Sequence, residues 1–146
     1  MIIRAADASD APAVAALSAQ LGYPVTEGDI RMRLEMLTAD AGSVVYVAVL
    51  DRDVIGWIAA SRRITVEYGV AHEITGLVVD ATRRRTGAGR ALVDAAHRWA
   101  AERGADALVV RSNAARETSH AFYAGIGFAR TKTQHVYRRA IDPASA

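Results

Sequence analysis

Residues 83–90 read Arg-Arg-Arg-Thr-Gly-Ala-Gly-Arg and run straight into a stretch whose apolar spacing predicts a helix. A helix N-terminus already carries about +0.5 elementary charge from its aligned peptide dipoles. Crowding Arg83, Arg84 and Arg85 against it is unfavourable unless an anion neutralises them. The unpaired N–H groups of a first helical turn point outward, Gly87 and Gly89 let a ligand approach the main chain, and arginine forks add charge-assisted hydrogen bonds. A phosphate group suits that arrangement. The residues alone leave a second reading open, a solvated arginine turn in which both glycines serve only backbone geometry. The loop lacks the Gly-Lys-Ser/Thr that holds a triphosphate and magnesium. It is not Gly-x-Gly-x-x-Gly either, because residue 92 is Leu and no repeated β-α-β series follows.

The elements that would position this loop follow from periodicity. Residues 1–6 predict a short strand. Residues 7–23 predict a helix with Pro12 near its start and Val14, Leu17 and Leu21 at helical spacing. Ile30, Leu34 and Leu37 share one face of a second helix over 26–38. Two β-rich runs, 43–50 and 54–64, form a hairpin around Asp-Arg-Asp, and 70–80 is a longer strand with Gly76 inside it, where a bulge or a close backbone approach is expected. The helix after Gly89 carries Leu92, Ala95, Ala96 and Trp99 as its apolar stripe, with Arg90, Asp94, Arg98 and Glu102 as a charge ladder. A buried strand over 106–112, a short helix over 116–127 and a closing strand over 128–140 complete the order β-α-α-β-β-β-α-β-α-β, which is α+β.

One chain of 146 residues is one ordinary domain, 1–146, with no repeat or linker. The absence of cysteine excludes disulfides, thiolate chemistry and Cys-based metal sites. No apolar run is long enough to span a membrane, and "MIIRAADASD" lacks a secretion-signal pattern, so a cytoplasmic location without membrane contact is expected. Charge is unevenly distributed. Residues 1–60 hold four arginines against eight acids, and residues 61–146 hold fourteen Lys or Arg against eight acids. A basic half can attract nucleic acid, but no aromatic-interleaved or helix-turn-helix pattern accompanies it. A compact polyanionic ligand suits the asymmetry better.

At this point a family resemblance enters. "RRTGAG" (84–89) resembles the Arg/Gln-x-x-Gly-x-Gly/Ala loop of the GNAT superfamily of N-acetyltransferases, "EITGLVVD" (73–80) resembles its central strand, and "AFYAGIGF" (121–128) its Tyr–Gly–Phe segment. The likeness covers essentially the whole chain. It implies a mixed, mostly antiparallel sheet of six to seven strands flanked by about four helices, with a splayed central strand. It also implies acetyl-CoA as co-substrate, no metal, and acetyl transfer to a primary amine of a small molecule or peptide. The coenzyme's pyrophosphate would lie over Arg84, Arg85, Thr86, Gly87, Ala88, Gly89 and Arg90, with Arg83 spared, and its pantetheine arm along the main chain of Leu77, Val78 and Val79.

Attack of a neutral amine on a thioester needs a proton acceptor, a polarised carbonyl and a proton for the departing thiolate. The resemblance assigns Tyr123 as the acid; the residues by themselves also allow a core Phe–Tyr pair. It suggests Glu73 as base, acting through water, against an ordinary strand carboxylate. With unbroken alternation Glu73, Thr75, Leu77 and Val79 share a face, a count that a bulge near Gly76 would break. His72 and His120 rank below Glu73. Family members often carry Asn seven residues before the tyrosine, where this chain has Arg116; whether Asn113 takes over that contact with the cofactor stays open. Tyr23, Glu27, Asp29, Trp57 and Tyr68 are candidates for lining the acceptor pocket, whose acids suit a cationic amine; Trp57 also reads as packed core. Homodimers are common in the family, with the C-terminal strand as the contact the likeness suggests. The alternatives are a non-catalytic acyl-CoA-binding regulatory module of the same fold and, from another class, a nucleic-acid-binding domain.

Overall fold

Local signals set the first elements. In the computed structural model, which describes residues 1–112 and 116–143, strand β1 (Ile2–Ala5) leads into a single 3-10 turn at Ala8–Asp10 closed by a capping box between Asp7 and Asp10. Helix α1 (Ala11–Gln20) follows with Pro12 in its first turn. Arg4 grips Asp10 through two bonds of 2.8 Å, so the strand and the helix start are tied by one bidentate pair. Thr26 caps α2 (Glu27–Ala39) by accepting the Asp29 N–H at 3.1 Å. Strands β2 (Ser43–Leu50) and β3 (Asp53–Thr65) join through Asp51 and Arg52, both left-handed with φ of 51° and 70°. That is the two-residue turn whose twist matches a hairpin.

The chain divides into two units, Met1–Arg111 and Ser112–Ala146. The first holds a five-stranded mixed sheet in the order β1-β2-β3-β4-β5. Strands β1 to β4 (Gly69–Val79) pair antiparallel, while β5 (Leu108–Val110) runs parallel to β4 after the crossover helix α3 (Ala88–Glu102). On one face α1 and α2 bury Ala11, Val14, Ala15, Ile30 and Leu34 against Val45, Val47 and Ala59, with Trp57 packed beside them. On the other face α3 is seated close enough that its Leu92 lies 3.1 Å from where a Cβ on Gly56 would stand. The second unit contains α4 (Glu117–Gly125).

Two expectations are corrected. Among the described residues the sheet has five strands, not six to seven, because residues 128–140 form no strand. Alternating β-rich residues give propensity, but a strand exists only when its N–H and C=O groups meet a neighbour. Here Val136 and Tyr137 are 94% and 91% exposed. The expected buried strand over 106–112 is a three-residue edge, with Val109 exposed, since only β4 covers it. The α+β class, the mixed sheet and the four helices stand. Among the described residues no helix is long and apolar enough to cross a membrane.

Candidate functional site

The arginine–glycine loop is built from both ends. Where β4 ends, Asp80 Oδ1 accepts the N–H of Thr82 at 3.0 Å and its hydroxyl at 2.9 Å, contacts that hold this carboxyl below its ordinary range. Gln20, at the end of α1 and sixty residues away, accepts the Ala81 N–H at 3.0 Å and donates to Asp80 at 3.4 Å. Arg83, the arginine expected to be released to solvent, instead pairs with Asp53 at 3.1 Å. The Thr86 hydroxyl donates to the Arg83 carbonyl at 2.9 Å. Arg85 and Gly87 are left-handed, with φ of 66° and 82°. Alternating left-handed and ordinary residues turn successive N–H groups toward one side. The first bond of α3 runs from the Ala91 N–H to Gly87. Among the described residues the N–H groups of 84–90 therefore meet no acceptor, while Arg84, Arg85, Thr86, Gly87 and Arg90 are exposed and Ala88 is buried. Gly89 is half-buried in the first turn.

Strand β4 leads to that loop with one open edge. It pairs β5 only through His72, Glu73 and Ile74, and the pairing stops at Val110. Along β3 the pairing continues through Leu77, Val78 and Val79. The Asp80 N–H bonds the Ile55 carbonyl at 2.8 Å, so by strand alternation Val78 also addresses β3, whereas the main chains of Leu77 and Val79 point to the open side. Those groups have no ladder partner among the described residues.

The bulge expected near Gly76 is at Thr75, since Ala59 pairs Gly76 while Ala60 pairs Ile74. One extra residue reverses the alternation beyond it. Glu73 thus leaves the face of Leu77 and Val79 and shares that of Gly76, Ser61 and Trp57, toward α1 and α2. The Trp57 ring covers Gly76 so closely that a Cβ there would sit 2.5 Å from it. Trp57 is packed beside the core and its buried indole N–H has no partner among the described residues. Glu73 itself is buried, its side chain 11% exposed, and its Oε1 accepts from Arg111 at 2.9 Å and Arg63 at 3.3 Å. Oε2 takes no hydrogen bond from the described residues.

His72 lies on the opposite face, edge-on to Trp99 of α3 with ring centroids 5.4 Å apart, and its Nε2 is buried without a partner among the described residues. It is a core histidine. In the second unit Tyr123 lies half-buried on α4 between Phe122 and Phe128, with centroids at 5.3 and 5.6 Å. Its carbonyl accepts the Phe128 N–H at 3.0 Å, which folds the Gly–Phe segment back onto the tyrosine. Burial raises the phenol above its ordinary value. His120 is half-buried on the same helix. Asn113 lies outside the described residues. Tyr23 and Tyr68 are exposed, and Glu27 and Asp29 sit in the first turn of α2. Among the described residues no three His, Asp or Glu side chains converge as a metal site.

Gln20, Asp53, Arg63 and Arg111 were not singled out from the sequence. Each meets its partner across ten to sixty-one residues, so only strand register and helix packing bring them together, and no local motif marks them.

The profile of the acetyltransferase (GNAT) family matches residues 13–128. No curated protein matches the chain significantly. Among solved structures, an aminoglycoside 6′-N-acetyltransferase from Acinetobacter haemolyticus superposes with a TM-score of 0.84 at 22% identity, covering 97% of this chain and all of its own. An aminoglycoside N-acetyltransferase in complex with CoA superposes at 0.86 with 20% identity, over 96% of this chain and 95% of that one. A transcriptional regulator from Bacillus halodurans superposes at 0.84 with 19% identity, over 94% and 99%. At these identities the superpositions establish the fold, and the family match over 13–128, spanning the open strand, the glycine loop and the Tyr–Gly–Phe segment, establishes that the chain belongs to the acetyltransferase (GNAT) family.

Proposed function

We propose that this protein is one N-acetyltransferase domain, residues 1–146, that uses acetyl-CoA to acetylate a primary amine of a small molecule or peptide by direct attack. The observation that carries this reading is the run of N–H groups over 84–90 that meets no acceptor among the described residues, flanked by exposed arginines and by an edge of β4 that has no described ladder partner. That donor set fits a diphosphate followed by an amide-bearing arm. The main chain and side chains of Arg84, Arg85, Thr86, Gly87, Ala88, Gly89 and Arg90 would hold the pyrophosphate, and Leu77, Val78 and Val79 the arm, with the main-chain groups of Leu77 and Val79 pointing away from β3. Acetyl-CoA supplies an activated acyl carbon as a thioester. The chain's own task is to move protons: Glu73, through Oε2 and water, takes one from the attacking amine as the N–C bond forms, and Tyr123 gives one to sulfur as the C–S bond breaks. A buried phenol stays protonated through the neutral range, which keeps it able to donate.

The double ion pair on Glu73 favours one alternative, a non-catalytic acyl-CoA-binding module, because an anchored carboxylate is also what a structural role would show. Incubating the protein with acetyl-CoA and a panel of amines, and following release of free thiol, separates the two. Amine-dependent thiol release is expected; binding of coenzyme A with no release for any amine would assign the regulatory role.

A further inference from the structure

The acceptor end of the site has its own electrostatics. Glu73 lies in the last stretch where β4 and β5 pair, and Arg111 follows β5 immediately, so both stand at the fork where the strands part. Arg63, on β3, completes the cluster on the same sheet face. Glu73 thus accepts from two guanidinium groups, Arg63 and Arg111, on one oxygen. Arg63 is half exposed and uses only Nη1 on Glu73, which leaves the rest of its fork directed to no described residue. Beside it, Glu73 Oε2 takes no hydrogen bond from the described residues. The cluster therefore offers one anion-binding donor edge and one cation-binding oxygen within a single side-chain contact.

We infer that the acceptor is an amine carrying a carboxylate next to its nitrogen, an α-amino acid head group, with the carboxylate on Arg63 and the amine beside Glu73 Oε2. This rests on the acetyl-transfer reading above and narrows its substrate class. A head group that carries an amine and a carboxylate on one carbon can meet both a donor edge and an acceptor oxygen, and bidentate arginine–carboxylate geometry distinguishes it from a lone amine. The same position explains why a half-exposed arginine is held on a buried carboxylate: Glu73 keeps Arg63 oriented when no ligand is bound.

The test uses matched pairs, the common L-amino acids and their carboxamides, with acetyl-CoA and thiol release as readout. A kcat/KM about tenfold or more higher for acids than for their amides is expected, as for loss of a charge-assisted bond. Arg63→Leu should bring that ratio to within about twofold, and Arg63→Lys should restore part of it. Because the ratio is taken within each variant, partial loss of fold moves both members alike. Calorimetric titration of CoA-free protein with the same acids gives a second readout, with binding of the acid and not the amide, lost in Arg63→Leu. Preference for carboxamides or spermidine would overturn the inference and leave the N-acetyltransferase reading intact. Failure of every amine to release thiol would overturn both.

Discussion

The two residues proposed to move protons differ in how their surroundings prepare them. Glu73 is a buried carboxylate with one oxygen committed to two arginines, so its work falls to the other oxygen. Glu73→Gln should lower turnover by about a hundredfold at neutral pH, the usual range for a lost general base, and by less at alkaline pH, where the amine is already free. A pH–rate profile checks this, and a loss independent of pH would make Glu73 purely structural. Tyr123 is raised by burial, so it holds its proton well above the working range. Tyr123→Phe keeps the ring contacts with Phe122 and Phe128 while removing the hydroxyl. It should reduce kcat by about a hundredfold with little change in the KM for acetyl-CoA, as for an acid needed only in the transition state. Both assignments came from a family likeness. Glu73's partners were not legible because Arg63 and Arg111 arrive through strand register and not through nearby sequence.

At the scale of elements, one bulge and one loop decide the site. The extra residue at Thr75 turns Glu73 to the α1/α2 face, and the Trp57 ring fills the space a side chain at 76 would need. Gly76→Ala forces that ring to move and should destabilise the protein by about 1–3 kcal/mol, as overpacking does, measured by urea unfolding. In the loop, Gly87 has φ of 82° and open space around its Cα, so backbone conformation and not room selects glycine. Coenzyme A at a hundred times its Kd should stabilise the protein by about 2.7 kcal/mol through mass action. Gly87→Glu should abolish the accompanying rise in Tm by putting a carboxylate in the anion site, whereas Gly87→Asn, which tolerates the left-handed region, should retain most of it. An undiminished shift in Gly87→Glu would remove the loop from the proposal. The helix after the loop was readable because Leu92, Ala95, Ala96 and Trp99 repeat at helical spacing. The closing strand was not, because alternation in 128–140 says nothing about whether a neighbouring edge accepts it.

At the scale of the molecule, stability leans on charged pairs that tie one element to the next. Asp10 is the clearest case: Arg4 first, then the Asp7 N–H, hold its carboxyl below the unfolded value of 3.8. A carboxyl lowered on folding contributes stability that is present above the unfolded value and is lost as pH falls through the folded one. Asp10→Ala should therefore cost about 2 kcal/mol at pH 7, the scale of hydrogen bonds to a charged group. The gap between variant and parent should close as the pH drops below about 4. Urea unfolding followed from pH 7 to pH 3 reads both, and a gap that stayed constant would mean that packing, not charge, is what Asp10 supplies.

Local chemistry in the chain was enough to determine the hairpin turn, the existence of the helices and the position of the bulge to within one residue. Capping and turn geometry act within a few residues, so sequence neighbours carry them. Tertiary structure alone decided which face Glu73 takes, which arginines hold it, that Asp53 removes Arg83 from the loop, and that β4 keeps an open edge beside Leu77 and Val79. Those outcomes depend on register between strands far apart in the chain, where a slip of one residue reverses every side chain.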